Sequence, residues 1–304
     1  MIDSVQTPDG VPLHTRHWPV AGARAVVVVV HGMAEHIGRY EGFAAAMNSA
    51  GYAVVGHDQR GHGQTAGSPE ALGFVAETDS WQHLVDDVGT IADAAAAEYP
   101  ELPLILLGHS MGSLVARSVV QGDDRFAALV LSGTPADPGA LRLAGQAIAA
   151  AELRARGPRA RSPLLNQLTF GGYNKAIAQP RTEFDWLSRD EDVVDAYLAD
   201  PACGWVGTTS FFGGLLAGLQ RANAPARIAR TPADLPVFFL SGDEDPVGGR
   251  FGAGATAAAR AMRRRVRQVD LRLYAGARHE LFLETNAEEV LVDVIRWCDT
   301  QIRP

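Results

Sequence analysis

"LPLILLGHSMG", residues 102–112, is the stretch on which the fold turns. Its apolar run, Leu104 to Leu107, has no in-and-out alternation, the pattern of a strand buried on both faces. The run leads into Gly108-His109-Ser110-Met111-Gly112, a G-x-S-x-G pentapeptide, and "MGSLVARSVVQG" (111–122) then takes up helical spacing. A strand that reverses sharply into a helix strains the backbone of its middle residue, and flanking glycines let neighbouring backbone pass without Cβ clashes. Ser110 is therefore expected to project above the edge of a buried sheet, with the positive end of a helix beneath it.

The rest of the chain supplies that sheet. "AVVVVVHG" (25–32), "YAVVGHD" (52–58), "ALVLSG" (128–133), "LPVFFLSGD" (235–243) and "VDLRLYAG" (269–276) repeat the short apolar pattern. "SVQT" (4–7) and "VPLHTRHW" (11–18) flank the turn signal "PDG" and read as an opening hairpin. Helical segments alternate with these runs: "YEGFAAAMNSAG" (40–51), "SWQHLVDDVGTIADAAAAEYP" (80–100), "ATAAARAMRRRVRQ" (255–268) and "NAEEVLVDVIRWCDTQI" (286–302). The alternation predicts an α/β fold with a mostly parallel sheet and helices on both faces.

The alternation breaks between Pro135 and Arg227, where only glycine, proline and helical fragments occur: "GALRLAGQAIAAAELRA" (139–155), "DEDVVDAYLAD" (190–200) and "SFFGGLLAGLQRA" (210–222). This is too long for a loop in a compact domain. The expected organisation is a helical cap, residues 135–226, inserted into a core of 1–134 and 227–304, on the sheet edge where open α/β folds bind ligands.

With 304 residues, 47% hydrophobic and 20% charged, the chain can bury a large core. Its net charge of −8 argues against nucleic acid or an anionic surface as the main partner. The N-terminus "MIDSVQTPDG" has no secretory pattern, no run approaches the ~20 apolar residues that span a bilayer, and a cytoplasmic location is expected. Cys203 and Cys298 lack metal-ligand spacing and read as structural thiols.

A serine hydroxyl needs a base near neutral pH, and the base needs an orienting acid. "FFLSGDEDPVGG" and "LRLYAGARHELF" place Asp245 and His279 just after strands, on the same sheet edge as Ser110 and in the chain order Ser, acid, His. Asp243 and Glu244 compete with Asp245 for the acid role; Pro246, which fixes the exit direction, favours Asp245. The oxyanion needs two donors, and the amide of Met111 after the nucleophile and that of Met33 in "VHGM" are nominated.

Taken together, "HGMAEHIGRY", "GHDQRGHGQTAG", "GHSMGS", "YLADP", "SGDEDPVGG" and "YAGARHELFLET", in order and across nearly the whole chain, resemble the α/β-hydrolases of the monoacylglycerol lipase and lysophospholipase kind, grouped with serine aminopeptidase-like hydrolases. The resemblance implies an eight-stranded α/β-hydrolase sheet, a Ser110–Asp245–His279 triad, Met33 and Met111 as oxyanion donors, and a lipid-facing cap. It favours Asp245 over Asp243. It implies ester hydrolysis through an acyl-enzyme without metal or cofactor, on small or single-chain lipid esters such as monoacylglycerols or lysophospholipids. The alternatives are a thioesterase, transacylase or small-peptide hydrolase using the same triad, or a ligand-binding protein with vestigial activity.

Other features carry less. "GAGATA" (252–257) fits a dinucleotide fingerprint but stands away from its strand, and reads as an ordinary helix entry. His57, Asp58 and His62 have no metal-site spacing and read as a braced loop. "RRRVR" (263–267) reads as the solvated last turn of a helix. Phe211, Phe212, Leu215, Leu216 and Leu219 recur at helical spacing; with Trp186 they are candidates either for core packing or for the wall of an acyl tunnel with transient contact to a membrane or micelle.

Overall fold

The computed structural model describes residue 2 and residues 4–302. Eight strands form one sheet in the order β1-β2-β4-β3-β5-β6-β7-β8. They are β1 Ser4–Gln6, β2 Pro12–Trp18, β3 Ala25–Val30, β4 Tyr52–His57, β5 Leu104–His109, β6 Phe126–Ser132, β7 Val237–Gly242 and β8 Val269–Tyr274. The β1–β2 hairpin and the β2–β4 pair are antiparallel, and every pair from β4 to β8 is parallel.

The five consecutive valines of β3 show why the central strands lack alternation. Val26, Val28 and Val30 pack into one layer with α2 (Ser80–Glu98), α3 (Met111–Val119) and α9 (Ala253–Met262). Val27 and Val29 pack into the other with α1 (Glu41–Ser49) and α10 (Ala287–Gln301). Both faces of the strand are covered, so every side chain is apolar.

Between β6 and β7 lie α4 (Ala140–Arg156), α5 (Pro163–Phe170), α6 (Glu191–Ala199), α7 (Thr209–Asn223) and α8 (Pro225–Ile228), with a lone antiparallel bridge from Arg161 to Thr208. The expected boundary at residue 226 falls inside α8, whose first residue, Pro225, is pre-set for a helix start. Helix α7 lies directly on α2: a Cβ at Gly218 would stand 2.1 Å from the Trp81 ring. Helix α5 was not singled out in the sequence, although Ser162-Pro163 is a helix-start signature and the Ser162 hydroxyl accepts from the Leu165 amide.

The arginines of 263–267 correct one expectation. Helix α9 ends at Met262, so they follow it rather than form its last turn. The Arg263 and Arg265 guanidiniums donate to the carbonyls of Val269 and Thr231, and Arg267 pairs with Asp234. The "HDQRGHG" loop is braced as its composition suggests: Arg60 forks onto Asp9 of the hairpin turn and Asp87 of α2, and Asp58 accepts from the amides of Ile37 and Gln64.

Gly108 and Gly112 carry the strand-to-helix turn. A Cβ at Gly112 would stand 2.1 Å from the Val30 carbonyl oxygen, and one at Gly108 would stand 2.4 Å from the Gly112 oxygen. Gly112→Ala should therefore cost ~3 kcal/mol in chemical denaturation, as overpacking against backbone does. Gly89→Ala, inside α2 with nothing within 4 Å of the added Cβ, should instead gain up to ~1 kcal/mol.

Candidate active site

Ser110 sits between β5 and α3 with φ 54° and ψ −120°, a region that side chains other than glycine seldom adopt. Its amide donates to the Ser132 carbonyl at 2.9 Å, and its carbonyl accepts from the Ser113 amide and hydroxyl at 3.0 and 2.6 Å. These bonds aim the hydroxyl off the C-terminal edge of the sheet.

The loops after β7 and β8 deliver the partners to the same edge. His279 Nε2 lies 2.9 Å from Ser110 Oγ, and His279 Nδ1 lies 2.9 Å from Asp245 Oδ2. Asp245 is fully buried, and its other oxygen accepts from the Val247 amide at 2.8 Å. Asp243, the rival acid, instead accepts from the Gly276 amide at 2.7 Å and braces the next loop, while Glu244 faces solvent. With Asp245 accepting the Nδ1 proton, Nε2 is left to accept from the serine hydroxyl.

Burial disfavours a charged His279, but the charge and hydrogen bond of Asp245, with Glu280 and Glu35 behind, outweigh it and hold the imidazole pKa above its ordinary 6.5. His109, next to the nucleophile and 4.7 Å from the His279 ring, lacks such a partner; burial first and His279 second press it down to about 4.

The loop after β3 runs beside the serine: a Cβ at Gly32 would stand 3.1 Å from the Ser110 Cβ. The Gly32 amide is taken by the Glu35 carboxylate. The amides of Met33 and Met111 have no acceptor among the described residues. The first amide of a helix such as α3 has no intrahelical partner, which suits Met111 to an incoming oxyanion. His31 sets the loop from beneath: its Nδ1 donates to the Gly32 carbonyl at 2.7 Å and its Nε2 accepts from the Gln59 amide at 3.0 Å. Burial lowers its pKa to about 3, which keeps this neutral tautomer in place.

Two cavities meet at Ser110, and both are walled by Met33, Phe170 and Val247. One, of 460 Å³, is apolar and lies among α3, α4, α5 and α7, with Leu114, Ile148, Leu165, Leu215 and Leu216 in its wall. The other, of 330 Å³, carries Glu35, Asn166, Trp186, Trp205 and Glu280. Leu215 and Trp186 thus face the serine's surroundings, Trp186 with its ring 5.3 Å from that of His279. Phe211 and Phe212 line neither cavity. They stand at the start of α7 and are buried in the core, Phe211 against Trp205 and His62. The sequence reading missed α5, which supplies Leu165 and Phe170, and missed Glu35, paired with Arg39 four residues on, and Glu280, which reaches the same arginine from far along the chain.

Among the described residues, one trio of ligating side chains converges: His36, Asp200 and Cys203, with their atoms within 4.8 Å. The His36 tautomer speaks against a metal there. Its Nδ1 accepts from the Gly38 amide, so Nε2 carries the proton that it donates to Asp200 at 2.8 Å. A metal on Nε2 would drive that proton onto Nδ1, against the Gly38 N–H.

Asp245→Asn should lower kcat by ~10⁴-fold, because the amide misassigns the imidazole tautomer, whereas Asp243→Asn keeps an acceptor for Gly276 and should stay within a few-fold. In wild type the acid limb of kcat/KM should lie above pH 6.5, since the raised pKa protonates the base as pH falls; in Asp245→Asn the limb should move down. Equal losses in the two variants would reassign the acid.

Comparisons with known proteins fit this geometry. The sequence model of the family described as "Serine aminopeptidase, S33" matches residues 21–286. A monoacylglycerol lipase of Mycolicibacterium smegmatis is 34% identical over 291 residues, covering 92% of this chain and 89% of that protein. A monoglyceride lipase of Mus musculus is 30% identical over 304 residues, with coverage of 97% and 89%. A thermostable carboxyl esterase from Bacillus coagulans, solved in complex with glycerol, superposes with a TM-score of 0.91 at 26% identity, covering 99% of this chain and 98% of that one. Family match, long relatives and sheet topology agree: the chain belongs to the serine aminopeptidase S33 family and has the α/β-hydrolase fold.

Proposed function

We propose that the protein hydrolyses carboxylic esters of single-chain lipids, monoacylglycerols foremost, through an acyl-enzyme on Ser110. The observation that carries this reading is the meeting at one hydroxyl of an apolar cavity and a second, more polar one that mixes aromatic rings with carboxylates and amides, which suits an ester whose two halves differ as an acyl chain and a polyol do. Monoacylglycerol and monoglyceride lipases among the relatives support it. These relatives do not favour the thioesterase, transacylase, small-peptide hydrolase and ligand-binding alternatives.

In this mechanism His279 Nε2 takes the Ser110 proton as Oγ bonds to the acyl carbon, and the oxyanion is received by the Met33 and Met111 amides. His279 returns the proton to the leaving alcohol. Water then repeats the sequence on the acyl-enzyme, releasing the fatty acid and restoring the serine. Asp245 holds the imidazole throughout.

Residues 135–226 act in this reading as a cap over a core of 1–134 and 227–304. Leu141 and Leu168, 75% and 59% exposed, also line the apolar cavity, and Leu143 and Leu164 are exposed on the same helices. This apolar rim suits transient contact with a membrane or micelle surface. No helix among the described residues is long and apolar enough to cross a membrane. A cytoplasmic setting is in keeping with two buried, unpaired cysteines.

Ser110→Ala should lower release of fatty acid from monoacylglycerol by at least ~10⁴-fold, with an unchanged melting transition; ordinary turnover by that variant would sink the assignment. On p-nitrophenyl esters from acetate to palmitate, activity should rise with chain length. Leu215→Trp, which fills the apolar cavity, should shift the optimum to shorter chains, and an unshifted optimum would place the acyl chain elsewhere.

A further inference from the structure

The polar cavity at Ser110 has a charge pattern that a neutral glycerol ester does not require. Its wall includes three carboxylates, Glu35, Glu183 and Glu280, and no lysine or arginine. Arg39 stands behind the wall, forked onto Glu280 and touching Glu35 at 3.3 Å. One guanidinium shared by two carboxylates leaves one negative charge uncompensated. Glu183 adds another: it is exposed and has no ion-pair partner among the described residues. His109, in the same wall, contributes no positive charge at neutral pH, because burial lowers its pKa to about 4.

The same wall is rich in aromatic side chains: Phe170, Phe184, Trp186, Tyr197 and Trp205. Phe170 and Trp186 stack with ring centres 6.1 Å apart, and Phe184 lies 5.0 Å from Tyr197. Aromatic faces attract cations and repel anions, and the carboxylates of the wall act in the same sense. A phosphate brought here would meet like charge without a guanidinium or ammonium to receive it, whereas a quaternary or protonated amine would meet both attractive features.

We propose that this cavity selects the leaving alcohol by charge, accepting neutral polyols and cationic amino alcohols such as choline and rejecting alcohols that carry a phosphate. The inference rests on the reading above that the alcohol half of the ester occupies this cavity. It narrows the substrate class: among single-chain lipids, those with an anionic group beside the ester fall behind monoacylglycerols.

The test compares kcat/KM for lauroyl esters of glycerol, choline and glycerol 3-phosphate, at low and high salt, for wild type, Glu183→Gln and Glu183→Asp. The choline ester should match or exceed the glycerol ester, and the phosphate ester should fall roughly 100-fold below it. Glu183→Gln should lower the choline-to-glycerol ratio several-fold, Glu183→Asp should restore most of it, and added salt should reduce it. Turnover of the phosphate ester within threefold of the glycerol ester would overturn the proposal, as would a choline-to-glycerol ratio indifferent to both Glu183→Gln and salt. Failure on lauroylglycerol itself would count against the lipase reading instead. Binding to Ser110→Ala, followed by tryptophan fluorescence, reads the charge preference without any turnover. Dodecyltrimethylammonium should bind at least about tenfold more tightly than dodecyl phosphate, and the reverse order would overturn the proposal.

Discussion

The backbone of Ser110, held at φ 54° and ψ −120°, is the constraint on which the rest of the site depends. Such a conformation costs on the order of 1–3 kcal/mol and persists only where the surroundings over-determine it. Here the Ser132 carbonyl holds the amide, Ser113 holds the carbonyl, and the paired glycines let α3 press against the ends of β3 and β5. Relaxing that turn would move the hydroxyl away from His279 and re-aim the Met111 amide at the same time. The Ser110 hydroxyl and the Met111 amide hang on one strained turn, so their relative geometry is inherited from the fold.

The histidines around this turn show how one environment can produce opposite chemistry. His31, His57 and His62 are fully buried, and burial presses each down to about 3. His279 is just as enclosed, yet its pKa is raised, because it alone shares a hydrogen bond with a buried carboxylate. Near neutral pH His279 is the ring whose raised pKa favours taking up a proton, while the others stay neutral. His31 shows the use of that neutrality: an imidazolium could not accept the Gln59 amide, and the loop carrying Met33 would lose its support.

Much of this was legible in the sequence wherever a local pattern has a geometric cause. A valine run without alternation reads as a strand covered on both sides, and parallel strands end on a common edge, so Ser110, Asp245 and His279, each just past a strand, are expected on that edge. The choice between Asp243 and Asp245 was not decided by spacing; it depends on which carboxylate the Gly276 amide takes. The apolar stripe of α7 revealed one face of a helix but not what that face meets. Phe211 and Phe212 proved to be core while Leu215, one turn further on, faces the cavity. Glu35 and Glu280 were invisible for a different reason: they meet through Arg39 only in three dimensions.

The segment between β6 and β7 contributes most of both cavity walls, including Leu165, Phe170, Trp186 and Leu215, yet none of Ser110, Asp245 or His279. The candidate catalytic residues and most of the cavity walls thus lie on separate stretches of the polypeptide. The two stretches still touch, since Trp186 packs against the His279 ring and Arg278 donates to the Asp185 and Ser188 carbonyls, so selectivity is free to drift over evolutionary time only at positions that line a cavity without bracing the His279 loop.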